Sequence, residues 1–209
     1  MEILRPSELG MDNAIRRLRQ LLDNAEIIAY PTETFYGLGV KYNQGEALER
    51  LYHIKQRPLD KAMPLIIGRT GLLTLLSPVI SPAAEKLIAK FWPGPLTLIF
   101  EAQKNLSAYI TAGTGKVAVR IPGPSFAFDL ARHLDYPITA TSANITGMPP
   151  AETADAVIDY FGNSVAVVVN SGKAPGDTPS TIVDVTGSEI KLIRQGMIPQ
   201  EEVFAAVYQ

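Results

Sequence analysis

Short apolar runs, none longer than a strand, alternate with amphipathic stretches along all 209 residues. Runs such as Pro64–Gly68 and Val165–Val169 fall far short of the ~20 residues needed to cross a bilayer. This alternation predicts an α/β fold, with helices laid on a twisted sheet. Met11, Ile15, Leu18 and Leu22 share one helical stripe over residues 11–22, and Arg16, Arg17 and Arg19 fall mostly opposite. Further helices are expected over 45–56, 83–91, 126–134, 153–161 and 199–208. Strands are expected over 26–30, 63–67, 96–100, 117–121, 138–141, 165–169, 180–185 and 191–194. Some neighbouring strands are joined too closely for parallel crossovers, so the sheet should be mixed. No repeat or long linker interrupts the pattern, and one domain over 1–209 is expected. The 16 prolines and 16 glycines lie nearly all between elements, so the loops should be elaborate and carry the function.

Composition removes several chemistries. Nineteen basic against 21 acidic residues give a net charge of −2, which excludes a polybasic nucleic-acid coat. Cysteine is absent, so thiolate zinc sites, iron–sulfur clusters, disulfides and cysteine nucleophiles are absent too. That fits a reducing compartment, and MEILRPSELG lacks the basic and apolar regions of a signal peptide, so a cytoplasmic protein is expected. Neither G-x-x-x-x-G-K-[ST], G-x-S-x-G nor H-E-x-x-H occurs. The two histidines, His53 and His133, sit within expected helices and read as surface or packing residues.

Five stretches remain. Hydroxyls of Thr32, Thr34 and Tyr36 crowd the end of an apolar strand, where α/β sheets place ligands, although a polar turn has the same composition. Lys55, Arg57 and Lys61 surround Pro58, which turns the chain outward so that the cations can converge on a polyphosphate. Complementing a helix dipole would explain them equally. Arg120 lies in mid-strand beside Ala118, opposite Val117, Val119 and Ile121. It needs a carboxylate, a ligand anion or open solvent, because an isolated buried charge is costly. Ser142 and Asn144 offer neutral donors and acceptors suited to phosphate or ribose, or to an Asx turn. Ser180 and Arg194 are weaker candidates at two strand ends.

PTETFYGLG, KQRP, WPGPLTLI, VAVRIP, TSANITG, PSTIVDV and LIRQG, in this order, resemble the YrdC-like threonylcarbamoyl-adenylate synthases from about Ile27 to Gly196. The resemblance implies a YrdC-like twisted mixed sheet with flanking helices around a large concave basic cleft. The activity implied is condensation of L-threonine, bicarbonate or carbon dioxide, and ATP to threonylcarbamoyl-AMP and pyrophosphate. Downstream transferase proteins then carry the group to adenosine 37 of tRNA. Matching positions imply that Lys55 and Arg57 meet the phosphates as the catalytic pair. Ser142, Asn144, Pro150 and Arg194 complete the ATP site. Thr32, Thr34, Tyr36, Arg120 and Ser180 line the threonine pocket, with Arg120 on the carboxylate. Magnesium would arrive with ATP, held mainly by phosphates, so no metal ligands are expected from the chain.

The sequence departs from the family pattern in three ways. The strand after KQRP carries no histidine, Thr146 stands where serine is commoner, and the chain resembles the short form without an added C-terminal domain. A competing reading is a non-enzymatic module binding double-stranded RNA or tRNA through Arg16, Arg17, Arg19, Lys55, Arg57, Lys61, Lys116 and Arg120. Weak tRNA binding is also compatible with the enzyme. Two paralogue readings, a carbamoyl-transferring hydrogenase-maturation domain and a YciO-type protein, fit less well. The first sits within larger chains, and the second tends to lack the complete Lys-x-Arg and Ser-x-Asn pairs.

Overall fold

The computed structural model describes residues 1–176 and 178–208. In chain order the strands are β1 (Glu2–Leu4), β2 (Ile28–Pro31), β3 (Tyr36–Gly39), β4 (Leu65–Ile66), β5 (Leu96–Glu101) and β6 (Lys116–Arg120). They continue with β7 (Ile138–Thr139), β8 (Thr141–Ser142), β9 (Val167–Val169), β10 (Thr181–Asp184) and β11 (Lys191–Arg194). The helices are α1 (Pro6–Leu9), α2 (Met11–Asp23), α3 (Gly45–Ile54), α4 (Pro82–Phe91), α5 (Ala108–Thr111), α6 (Phe126–Arg132), α7 (Ala154–Phe161) and α8 (Gln200–Tyr208).

The mixed pairing expected from the short connections is present, but in two sheets. One runs β1-β9-β2-β3-β8 and the other β11-β10-β5-β6-β4-β7. Residues 138–141 read as one strand in sequence, yet the run changes partner midway. Ile138 and Thr139 pair with β4, whereas Thr141 and Ser142 pair with β3. Ala140 is therefore the point where the chain steps from one sheet to the other.

Thr139 ties the two sheets at that step. Its hydroxyl donates to Leu38 O at 3.1 Å and accepts from Val40 N at 3.0 Å, and its own carbonyl accepts from Tyr30 Oη at 2.7 Å. Burial above all holds the Tyr30 phenol well above its ordinary pKa, so it stays a donor. Thr139→Val keeps the shape but leaves a buried N–H and a carbonyl short of a partner. Each such loss costs roughly 1–3 kcal/mol. We expect Thr139→Val to unfold at least 4 °C below the parent in a thermal melt.

The two faces of the first sheet enter separate apolar clusters. Ile27, Ala29 and Val168 join the larger one, and Ile28, Tyr30, Val167 and Val169 join the other, with Ile15, Leu18 and Leu22 of α2. A sheet covered on both faces needs apolar residues at every position, which is why these strands read as continuous runs without alternation. Met11, placed on the α2 stripe in sequence, is 40% exposed, so the buried stripe begins at Ala14. The α4 start follows its sequence signals: Ser81 accepts from Ala84 N at 3.2 Å, with Pro82 opening the helix.

Helix α3 was expected to reach Gln56 but ends at Ile54. Gln56 adopts a left-handed backbone conformation with φ of 49°, and Arg57 N reaches back to Tyr52 O at 3.0 Å. This closing turn, rather than Pro58 alone, sends Lys55 and Arg57 in different directions.

Candidate ligand-binding site

The cavity of about 600 Å³ lies where the two sheets meet. Its lining draws on the β2–β3 turn (Thr32, Thr34), β3 (Tyr36, Gly37), β6 (Ala118, Arg120), the chain step (Ala140, Thr141, Ser142) and the β10–β11 ends (Ser180, Arg194). Arg57 and Pro150 complete the polar and rim contacts. Of the eleven residues nominated from sequence, Thr32, Thr34, Tyr36, Arg57, Arg120, Ser142, Pro150, Ser180 and Arg194 line this one cavity. Lys55 and Asn144 do not. They are buried directly behind the Ser142 wall.

The period-two reading of β6 places Ala118 and Arg120 on the cavity side, and Val117 and Val119 in the core. The carboxylate that Arg120 required is Glu33, with Nη1 to Oε1 at 2.8 Å and side-chain exposures of 8% and 11%. Gly123 N donates to the same Oε1 at 3.1 Å, while Oε2 is buried without a partner among the described residues. Glu33 was quoted within PTETFYGLG but given no role. Its signal was the unmet demand of Arg120.

Proton bookkeeping assigns polarity to the walls. Thr32 Oγ1 donates to Phe35 O at 2.8 Å and accepts from Thr34 N at 3.0 Å. Its one hydrogen is thus committed, so Thr34 must donate across the 3.0 Å pair between the two hydroxyls. Thr34 Oγ1 then offers only lone pairs, which suit a ligand N–H or O–H. Ser142 Oγ likewise donates to Asn144 Oδ1 at 2.5 Å and presents lone pairs. The Asn144 amide is spent within its own turn, on Ile145 O at 3.0 Å and Met148 O at 2.7 Å.

The cationic groups are aimed by main-chain carbonyls. Arg57 donates from Nε to Lys61 O at 3.0 Å and from Nη2 to Ala62 O at 2.6 Å. Arg194 donates to Ser180 O from Nε at 3.2 Å and from Nη2 at 2.8 Å. Ser180 Oγ in turn meets Thr97 Oγ1 at 3.0 Å, a second lining hydroxyl that sequence reasoning passed over inside WPGPLTLI. Desolvation at the cavity mouth, then the like charge of Arg120, lower the Arg194 pKa. An anion between these guanidiniums would relieve that strain. Tyr36, whose Oη donates to Gly172 O at 2.8 Å, is pushed up to about 12 by burial, so it too stays protonated.

No aspartate or glutamate lines the cavity among the described residues, and no group of three or more His, Cys, Asp or Glu gathers anywhere among them. The walls supply hydroxyls and guanidiniums, which suit an anion that brings its own cation. His53 and His133 are exposed. Of the eight cations that would form an RNA surface, four are paired with carboxylates: Arg17 with Glu2, Arg19 with Asp135, Lys116 with Asp184 and Arg120 with Glu33. No helix among the described residues is long and apolar enough to cross a membrane.

Three guanidiniums and several hydroxyls, with no lining carboxylate among the described residues, thus meet at the junction of two mixed sheets in an α/β protein. The chain belongs to the Sua5–YciO–YrdC family, whose model, described as telomere recombination, matches residues 20–196. The threonylcarbamoyl-AMP synthase of Pyrococcus abyssi is 34% identical over 90% of this chain and 56% of its own length. The threonylcarbamoyl-AMP synthase of Photobacterium profundum is 31% identical over 89% of this chain and all of its own. The structure of Pyrococcus abyssi Sua5 complexed with L-threonine superposes with a TM-score of 0.91 at 32% identity, over 99% of this chain and 60% of that one. The chain thus spans little more than half the length of the Pyrococcus relative.

Proposed function

We propose that this protein is an L-threonylcarbamoyladenylate synthase, a nucleotidyltransferase that uses ATP as substrate. The observation that carries the reading is the convergence of Arg57, Arg120 and Arg194 with Thr34 and Ser142 on one cavity. The threonine amine takes up carbon dioxide and loses one proton to water, giving a carbamate. A carbamate oxygen attacks the α-phosphorus, the bond to the bridging oxygen breaks, and pyrophosphate leaves with the electron pair. The attacking oxygen is already anionic, so the step asks for orientation and charge stabilisation rather than a strong base. Arg57 and Arg194 would hold the phosphates, Arg120 the threonine carboxylate and Thr34 Oγ1 a threonine N–H. The acceptor face of Ser142 suits a ribose hydroxyl. Magnesium would enter as Mg-ATP, coordinated by phosphates and water.

Threonine and bicarbonate should each be required for pyrophosphate release, and mass spectrometry should detect threonylcarbamoyl-AMP. Equal release without threonine rejects the amino-acid assignment. Arg57→Ala removes a charge-assisted phosphate contact, so kcat/KM for ATP should fall at least 100-fold, corresponding to about 2.7 kcal/mol. Unchanged kinetics would take Arg57 out of the site. The product would pass to a downstream transferase acting on tRNA in the cytoplasm. Non-enzymatic RNA binding is the weaker reading, because four of the eight cations named for it, Arg17, Arg19, Lys116 and Arg120, are paired with carboxylates and Lys55 is buried.

A further inference from the structure

Lys55 is 1% exposed, behind the cavity wall and not in it. Its Nζ donates to Ser142 O at 2.5 Å and to Asn144 O at 2.7 Å. Its own carbonyl accepts from Thr146 N at 2.9 Å. One residue at the end of α3 therefore grips three peptide groups of the 142–146 turn, from two sides. β8 ends at Ser142, and beyond it Ala143 N still donates to Tyr36 O at 2.7 Å and Ala143 O accepts from Ala151 N at 3.1 Å, so the main-chain carbonyls of Ser142 and Asn144 are what Lys55 adds to the hold on the turn. Within it, Ser142 Oγ and the Asn144 amide are oriented against each other and against Ile145 O and Met148 O.

We propose that Lys55 is a positioning residue: it acts on the nucleotide through the 142–146 turn, by fixing where Ser142 and Asn144 point, and does not itself touch phosphate. The charge that meets the phosphates from this motif is Arg57 alone. The division follows from the turn at Gln56, which sends one cation inward and the other to the cavity. An amine needs only two N–H groups to satisfy both carbonyls, so the clamp holds whether or not Lys55 is protonated. The inference rests on the proposed nucleotide site for its consequence, though the clamp itself does not.

A double-mutant cycle on ATP affinity, measured by calorimetry, tests it. Lys55→Met should weaken the Kd for ATP about 10-fold or more. Adding Ser142→Ala to Lys55→Met should cost no more than about twofold further, although Ser142→Ala alone weakens binding about 5-fold. Losses that multiply would mean two independent contacts and overturn the proposal. Hydrogen exchange supplies a second reading: amides over 142–148 should exchange faster in Lys55→Met, while those of β2 and β3 stay protected. Unchanged protection over 142–148 overturns the clamp.

Should Lys55→Met fail to fold, acetic anhydride labelling of the parent protein answers the same question. Lys55 should stay unmodified with or without ATP, while exposed Lys61 reacts. A Lys55 that labels freely and is protected by ATP would be a direct phosphate ligand, against the proposal. Failure of the parent to bind ATP at all would instead sink the proposed function, and the exchange experiment would still decide the clamp.

Discussion

Glu33→Ala should cost the ligand-free protein about 3 kcal/mol, lowering its melting temperature by roughly 6–12 °C. The reason is the partner left behind. Arg120 keeps its guanidinium 8% exposed, and Glu33 is the only carboxylate facing it among the described residues. Removing one member of a buried pair strands the other charge at about 3–5 kcal/mol, and the lower figure applies because cavity water can reach a lining residue. The effect also crosses between sheets. Glu33 lies in the turn joining β2 to β3, and Arg120 ends β6 of the other sheet. Gly123 N loses its acceptor in the same stroke. The double variant Glu33→Leu with Arg120→Met should regain most of that stability while abolishing any carboxylate site. Thermal unfolding of the three proteins decides the matter. A Glu33→Ala variant within 1 °C of the parent would mean that the pair holds nothing.

That pair also marks how far the sequence could be read. A mid-strand arginine on the face opposite three core residues announces its need for a counter-charge. Which carboxylate answers is another matter, since Glu33 lies 87 positions away and only the packing of two sheets brings it near. Strand β3 was hidden for a related reason. Two glycines interrupt the apolar pattern of PTETFYGLG, yet both lie in the strand, and at Gly39 a β-carbon would sit 2.7 Å from Tyr30 Cε1. The glycine is demanded by a tyrosine on the neighbouring strand, and period and propensity do not report that. The single run 138–141 concealed a change of partner at Ala140, because Ile138, Thr139 and Thr141 are all buried and the run reads as one strand. Spacing gathered Lys55 and Arg57 as one cationic group. The left-handed turn at Gln56, which no residue preference predicts for glutamine, separates them. What was legible was the set of chemistries at strand ends. Which of them look into the cavity, and which stand behind it, was decided by turns of one residue.

The buried lysine behind the wall should make stability depend on pH in an unusual direction. Burial, and then the charge of Arg57, pull the Lys55 pKa from 10.5 down to about 7. In the unfolded chain it returns to its ordinary value. Between pH 7 and about 10.5 the unfolded state therefore binds more protons than the folded one, and stability from this group rises with pH. Below pH 7 both states are charged and the full burial penalty applies. Above pH 10.5 both are neutral and it vanishes. At about 1.4 kcal/mol for each pKa unit, the span caps near 5 kcal/mol. The carbonyls of Ser142 and Asn144 favour the charged form and take part of that back, leaving a gain of about 2 kcal/mol between pH 7 and pH 9.5. Urea unfolding at the two values should show it. Lys55→Met should be destabilised by its two stranded carbonyls at every pH, yet lose the upward slope, because methionine has no proton to shed. A slope of equal size in Lys55→Met would place its origin in another group and show that Lys55 keeps its ordinary proton affinity despite its burial.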